Sequence, residues 1–281
     1  MTSAVSRHFA RTLGVPDGPV VMFAHGFGCD QNMWNRLLPA FTDKFRVVVF
    51  DLVGSGRSDL AAYDPGKYAD LDGYATDILE LCDEMGLADV VLVGHSVSSM
   101  IGVAAAVRRP DLFRRLVLVS PSPRFIDDDG YAGGFSEADI EGLLESLDSN
   151  YFGWAAAMAP AVMGAGQPGE LQDELTTSFC RTRPDIAYNF ARVTFLSDAR
   201  RLLDQVSVPS LILQTSDDIL APVEVGLYVH RHLRGSAFVQ LEATGHCPHV
   251  SAPDETARAV LAYLDDDRTH DGARTPGNVT G

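Results

Sequence analysis

Positive charge is scarce in this chain of 281 residues, where 22 lysines and arginines stand against 38 aspartates and glutamates for a formal net charge of −16. Such a balance disfavours approach to a phosphate backbone or an anionic lipid surface, so nucleic acid and membrane are poor partners. Long hydrophobic runs are missing as well. Residues 1–18 are mixed and polar, without the apolar centre of a secretory signal, and no later stretch reaches the length of a membrane span. These absences predict a cytoplasmic location. Cysteine is sparse: Cys29, Cys82, Cys180 and Cys247 lie far apart and show no CxxC spacing, which excludes a zinc ribbon or a disulfide scaffold. Neither a metal nor a cofactor is expected.

What the chain does contain is a series of short aliphatic runs that end in glycine-rich turns. Val90-Val-Leu-Val93 has the character of a parallel strand buried on both faces. Gly94-His-Ser-Val-Ser98 then fills a sharp turn, and the alanine-rich segment from Ser99 to Arg108 can wind away as a helix. This strand, turn and helix are the setting of a G-x-S-x-G nucleophile elbow, which makes Ser96 the candidate nucleophile. Ser98 stands where the pattern has its second glycine. Upstream, Pro19-Val-Val-Met-Phe-Ala24 runs into His25-Gly-Phe-Gly28, a turn able to present amide N–H groups. Phe27 N–H and Val97 N–H are the expected oxyanion donors.

Strand and helix alternate through the first 124 residues. Arg7 to Thr12 reads as an edge strand, Gln31 to Phe41 as a helix, Phe45 to Phe50 as a buried strand, Leu71 to Met85 as an amphipathic helix and Arg115 to Ser120 as a further strand. The loop Asp51 to Ser58 lacks the glycine spacing and lysine of a phosphate-binding loop, so its role is positional. Between 125 and 199 the strands stop. Four candidate helices follow, broken near Asn150, Gly164-Ala-Gly166 and Pro184, and they predict a helical lid inserted into an α/β core of residues 1–124 and 200–264. Beyond Asp265 the chain is polar and aperiodic, which predicts a disordered tail over 265–281.

A serine hydroxyl needs a base to take its proton, and the base needs a third group to fix its tautomer. Asp217 and Asp218 both follow the strand ending at Gln214, and position alone barely separates them. His246 and His249 both follow the strand ending at Leu241, and Gly245, which permits a tight approach, favours His246.

His25-Gly-Phe-Gly-Cys-Asp-Gln31 with Trp34, Asp51-Leu-Val-Gly-Ser-Gly-Arg-Ser-Asp59, Gly94-His-Ser-Val-Ser98, Arg109-Pro110, Gly133-Gly-Phe135, Asn150-Tyr151, Trp154, Pro184-Asp-Ile186 and Gly245-His-Cys-Pro-His249 together resemble the RsbQ-type α/β-hydrolases. That group includes a bacterial stress-response regulator and, more distantly, the plant karrikin and strigolactone receptors. The resemblance covers about residues 5 to 264. It implies an α/β-hydrolase fold, a mostly parallel sheet flanked by helices under a four-helix lid, with Ser96, Asp218 and His246 as the catalytic triad. It also implies a hydrophobic pocket, whose expected wall is His25, Phe125, Phe135, Leu143, Trp154, Met158, Phe195 and Ile219. His25 replaces a proline of the RsbQ pattern. The expected activity is hydrolysis of a small hydrophobic ester or lactone. A reading of another class makes the protein a ligand receptor, whose implied partner is a PAS-containing phosphatase.

Overall fold

The computed structural model describes residues 2–271. Its centre is a seven-stranded sheet: β1 (Arg11–Gly14), β2 (Val20–Ala24), β3 (Arg46–Val49), β4 (Val90–His95), β5 (Phe113–Val119), β6 (Ser210–Asp217) and β7 (Ala237–Thr244). The strands lie in the order β1-β3-β2-β4-β5-β6-β7, and β1 alone runs antiparallel to its neighbour. Parallel neighbours need crossover helices, which cover both faces of the sheet, and the aliphatic runs follow from that double burial. Alternate residues serve opposite sides. Met22, Val48, Leu92, Leu116 and Ile212 face one core, while Val21, Val47, Val91, Val117 and Leu211 face the other.

The chain enters through α1 (Ala4–Arg7), whose first turn is capped by Ser3 Oγ accepting the Ser6 N–H. The expected strand over Arg7 to Thr12 therefore begins only at Arg11. Its first half is the end of α1 and a turn, where Arg7 and His8 are drawn to a buried carboxylate on α3 (Leu71–Glu84). The expected helix from Gln31 to Phe41 is broken into a 3-10 turn, Gln31–Trp34, and α2 (Pro39–Thr42). Pro39 has no N–H to give and its ring cannot follow a helical turn, so it can only restart one. From the elbow, α4 (Val97–Arg108) runs back through the interior with almost every residue buried.

Four helices form the lid: α5 (Glu137–Ser149), α6 (Tyr151–Met163), α7 (Gly169–Arg181) and α8 (Pro184–Leu196). The breaks fall where the sequence places them. A capping box of Ser136 and Asp139 starts α5, and Asn150 ends α5 while its Oδ1 caps α6 through the Gly153 N–H at 3.0 Å. Ile140, Leu144, Leu147, Tyr151, Trp154 and Ala155 lead a separate apolar cluster that fills the lid. The core resumes with α9 (Arg200–Leu203), α10 (Val223–His232), α11 (Pro248–Ser251) and α12 (Pro253–Asp271). The last helix passes the expected boundary at Leu264 and continues to Asp271, so the first part of the expected tail is helical. Residues 272–281 lie outside the described residues.

The carboxylate that holds the amino-terminal segment is Asp77, fully buried on α3. It accepts from Lys67 Nζ at 2.6 Å, Tyr68 Oη at 2.7 Å and Arg7 Nη2 at 3.2 Å, with His8 Nε2 3.5 Å away. Burial pushes its pKa up, but the His8 ring, Lys67 and Tyr68 together hold it below the usual carboxylate range. Asp77→Asn would leave His8, Tyr68, Arg7 and Lys67 around a neutral amide, with the partly exposed Glu80 as the remaining carboxylate for the two cations. It is expected to lower the unfolding free energy by about 3–5 kcal/mol, as loss of one member of a buried ion pair does. Urea unfolding measures this, and an unchanged midpoint would show that the amino-terminal segment is held by packing alone.

Candidate active site

The site gathers at the carboxyl ends of β2, β4, β6 and β7, where parallel sheets leave their loops free to carry side chains. Ser96 sits between β4 and α4 with φ +56° and ψ −123°, a backbone conformation that lifts the side chain clear of both elements. Its N–H donates to Val119 O at 2.9 Å, and Ser99 Oγ donates to Gly94 O at 2.8 Å, closing the turn. Gly94 is needed there: a Cβ would lie 2.5 Å from the Ser98 carbonyl oxygen. Ser98, the departure from the elbow pattern, donates its hydroxyl to His25 O and so ties the first turn of α4 to the loop after β2. A second glycine could not make that bond.

The loop after β2 and the amino terminus of α4 bring the Phe27 and Val97 amides to the same edge. Among the described residues neither amide has a hydrogen-bond acceptor. His25 does not enter the pocket as expected. It is fully enclosed, with Nδ1–H donating to Gly26 O at 2.9 Å and Nε2 accepting the Leu52 N–H at 3.0 Å. It braces the loop after β2 against the loop after β3. Asp51 completes the brace, its two oxygens accepting from Gln31 N–H and Arg57 N–H at 2.8 Å each.

The two ambiguous pairs separate cleanly. Asp218 Oδ2 accepts from His246 Nδ1 at 2.7 Å, and Asp218 Oδ1 is filled by the Leu220 and Ala221 N–H groups at 2.9 and 3.1 Å. The Asp217 side chain is exposed, and only its carbonyl contributes, accepting the Gly245 N–H at 2.7 Å. With Nδ1–H committed to Asp218, His246 Nε2 is the acceptor nitrogen. That atom is buried, has no partner, and belongs to a residue lining the same cavity as Ser96. His249 instead packs its ring 4.4 Å from those of Trp34 and His95.

His246 is also gripped through its main chain. Its N–H donates to Val162 O on the lid helix α6 at 2.8 Å, and its carbonyl accepts from His95 Nε2, also at 2.8 Å. A carbonyl can only accept, so His95 carries its proton on Nε2. Burial, with His249 and His246 nearby, keeps the His95 pKa well below that of free imidazole. Although three imidazoles come together, the described residues hold no set of three side chains placed to bind a metal ion.

The cavity at Ser96 is small, about 30 Å³, room for roughly one water molecule. Of the expected wall, Phe195 lines it, joined by Phe27 from the expected oxyanion loop. Trp154 lies in the layer behind, edge-on to Phe27 and stacked with Tyr151, and Phe125 backs Phe195 at 5.0 Å. Phe135, Leu143 and Met158 are half-buried against the lid cluster. Ile219 points outward, 47% exposed. The reason is geometric: a lid helix has one apolar face, and most of it is used against the other lid helices. The wall is completed by Cys29, Val162, Leu175, Phe179, Thr194, Leu220 and Cys247, besides His95. Cys29 and Cys247 had a signal in their adjacency to the Gly-Phe-Gly turn and to His246, whereas Leu175 and Phe179 on α7 had none. A larger open groove of about 530 Å³ runs between the start of α3 and α8, but neither Ser96 nor His246 borders it.

The model of the alpha/beta hydrolase family matches residues 21–259. The chain belongs to that family. The strigolactone esterase of Arabidopsis thaliana is 41% identical over 255 residues, covering 90% of this chain and 95% of that protein. A karrikin insensitive 2 receptor of Petunia hybrida is 40% identical over 261 residues, covering 92% and 96%. Among solved structures, a hydrolase from Oleispira antarctica is 40% identical and superposes with a TM-score of 0.91, covering 94% of this chain and 96% of that one. The hydrolase fold expected from the sequence is therefore present, and its relatives include plant strigolactone and karrikin proteins and a bacterial hydrolase. Among the described residues no helix is long and apolar enough to cross a membrane.

The imidazole cluster sets an acid limit on this fold. Burial, with His246 alongside, lowers the His249 pKa to about 3. A histidine depressed in the folded state binds its proton mainly after unfolding, so its contribution is complete above about pH 6.5 and lost as pH falls towards 3. The loss approaches about 1.4 kcal/mol per pH unit within that window. His249→Phe, which keeps a ring on Trp34, is expected to flatten the decline in urea stability between pH 6.5 and 4.5 by about that slope. An identical slope in the variant would place the acid sensitivity elsewhere.

Proposed function

We propose that this protein is a serine hydrolase of small, apolar esters or lactones and that it works through an acyl-enzyme. The observation that carries the reading is the 2.7 Å bond from His246 Nδ1 to Asp218 Oδ2 with His246 Nε2 left unpartnered at the cavity of Ser96. In the reaction Ser96 Oγ attacks the acyl carbon while His246 Nε2 takes its proton, and the imidazolium is supported by the Asp218 carboxylate. The Phe27 and Val97 amides receive the developing oxyanion. The imidazolium returns its proton to the leaving alkoxide. Water, activated by the same nitrogen, then attacks the acyl carbon and releases Ser96.

Phe27, Val162, Leu175, Phe179, Phe195 and Leu220 make the cavity wall mostly apolar. A carboxylate or ammonium group would lose its hydration there without gaining a partner, so neutral substrates are favoured. A cavity of about 30 Å³ has room for roughly one water molecule, so even a short acyl group enters only as the lid gives, and longer ones require a larger displacement.

The same site supports a receptor reading on one specific observation. Because Val162 O on α6 holds the His246 N–H, a ligand that displaces the lid also disturbs the base, which links occupancy to the shape of the surface. The likeness of the motif set to the RsbQ-type proteins supports a PAS-containing phosphatase as the partner in that case. Rapid multiple turnover favours the enzyme. A single slow turnover, with ligand-dependent protease cleavage of the lid, favours the receptor.

Hydrolysis of p-nitrophenyl acetate tests the chemistry. Ser96→Ala and His246→Ala are each expected to lower kcat by on the order of 10⁴-fold or more, since nucleophile and base act as a unit. Asp218→Asn should fall by on the order of 10⁴-fold and Asp217→Asn by less than about twofold. An active Ser96→Ala, or the reverse ranking of the aspartates, would overturn the assignment.

A further inference from the structure

Thr194, near the end of α8, is 1% exposed and lines the cavity together with Ser96 and His246. Its Oγ1 is buried and has no hydrogen-bond partner. A helical threonine ordinarily bonds its hydroxyl to the carbonyl four residues earlier, and Thr76, Thr176 and Thr256 all do so in this chain, at 2.8, 2.8 and 3.0 Å. Thr194 does not use Phe190 O in this way. A buried hydroxyl without a partner destabilises the protein, and a valine would fill the same space without that cost.

The other unpaired polar atoms of the wall have different positions. His246 Nε2 is the proposed base. His95 Nδ1 is packed against Gly26, where even a Cβ would lie 2.6 Å from it, so no ligand atom reaches it from that side. Cys29 and Cys247 are thiols whose pKa values burial pushes up, leaving them neutral and weak as hydrogen-bond donors. Among the described residues, Thr194 is thus the one strong neutral donor of the wall apart from Ser96 itself that is free to meet a ligand.

We propose that Thr194 is a specificity-determining residue whose hydroxyl donates to a second oxygen on the acyl part of the substrate, a short distance from the carbonyl that Ser96 attacks. The preferred substrates are then compact oxygenated esters or lactones, such as alkoxyacyl or oxoacyl compounds, rather than plain alkanoates. This rests on the assignment of Ser96 as the nucleophile. A hydrogen-bonding site discriminates strongly against an analogue that lacks the bonding atom, because the buried donor is left unpaired. A purely apolar pocket of the same shape would treat an ether oxygen and a methylene nearly alike.

The test compares p-nitrophenyl methoxyacetate with p-nitrophenyl butyrate, which differ by one oxygen in place of a methylene. The ratio of their kcat/KM values is measured for the wild type, Thr194→Val and Thr194→Ser, so that the intrinsic reactivity of each ester cancels between proteins. Thr194→Val is expected to lower the ratio about fivefold or more, the value of one ordinary hydrogen bond. Thr194→Ser, which keeps the hydroxyl, should hold the ratio within about twofold of wild type. The melting temperature of Thr194→Val should equal or exceed that of wild type. An unchanged ratio in Thr194→Val, with Ser96→Ala inactive, overturns the inference and leaves the triad standing. An active Ser96→Ala overturns the triad, and the inference falls with it.

Discussion

A serine held at φ +56° is a local expense that the rest of the molecule has to sustain. A non-glycine residue in such a region costs roughly 1–3 kcal/mol and persists only where its surroundings allow nothing else. Here the surroundings are the interior itself. Behind the serine, β4 is buried along its whole length and α4 is buried almost throughout, so neither can shift to relax the turn. Hydrogen bonds to Val119 O and Gly94 O close it, and the tight approach of Gly94 to the Ser98 carbonyl leaves no room for a slack alternative. The aliphatic strands therefore do more than stabilise the fold: they make the placement of the Ser96 hydroxyl at the cavity geometrically compulsory.

How far this was legible depended on the kind of interaction. The parallel strands could be read because burial on both faces leaves a continuous aliphatic run, and the elbow because its conformation admits few residue types. The lid helices could be read as helices, since Asn150, the Gly164 to Gly166 turn and Pro184 interrupt them for local reasons. Their contribution to the cavity could not. Trp154 and Phe195 look alike as large apolar residues on lid helices, yet one faces the lid interior and the other the nucleophile, which only the relative rotation of four helices decides. The same limit explains His25 and the segment Arg7 to Thr12. In both, a side chain is committed to a partner dozens of residues away, Leu52 N–H in one case and Asp77 in the other, and neither bond leaves a local pattern. Asp218 and Asp217 were adjacent letters until β6 fixed which carboxylate turned inward.

The electrostatics follow from one economy. Most of the acidic side chains behind the formal charge of −16 lie at the surface, the cavity wall carries no carboxylate, and burial disfavours the charged form of the His95 imidazole within it. Asp77 and Asp51 are buried away from the nucleophile, and at the site the Asp218 carboxylate is held by two backbone amides and one imidazole. An interior arranged in this way can let a proton move between Ser96 and His246 without first rearranging other charges.

The contact between Gly164 and Gly245 bears on how such a protein can be altered. Both residues have positive φ, a Cβ on Gly245 would lie 2.0 Å from Met163 O, and the neighbouring Val162 O holds His246. Main chain meets main chain, so the lid and the base loop form a single joint with no side chain between them to absorb a misfit. Exchanging the lid for that of another hydrolase is therefore not a modular operation. A graft must reproduce the path of the backbone at this joint before its pocket residues matter, and the lineage is free to vary the lid's outer faces far more readily than the few residues on which it hinges.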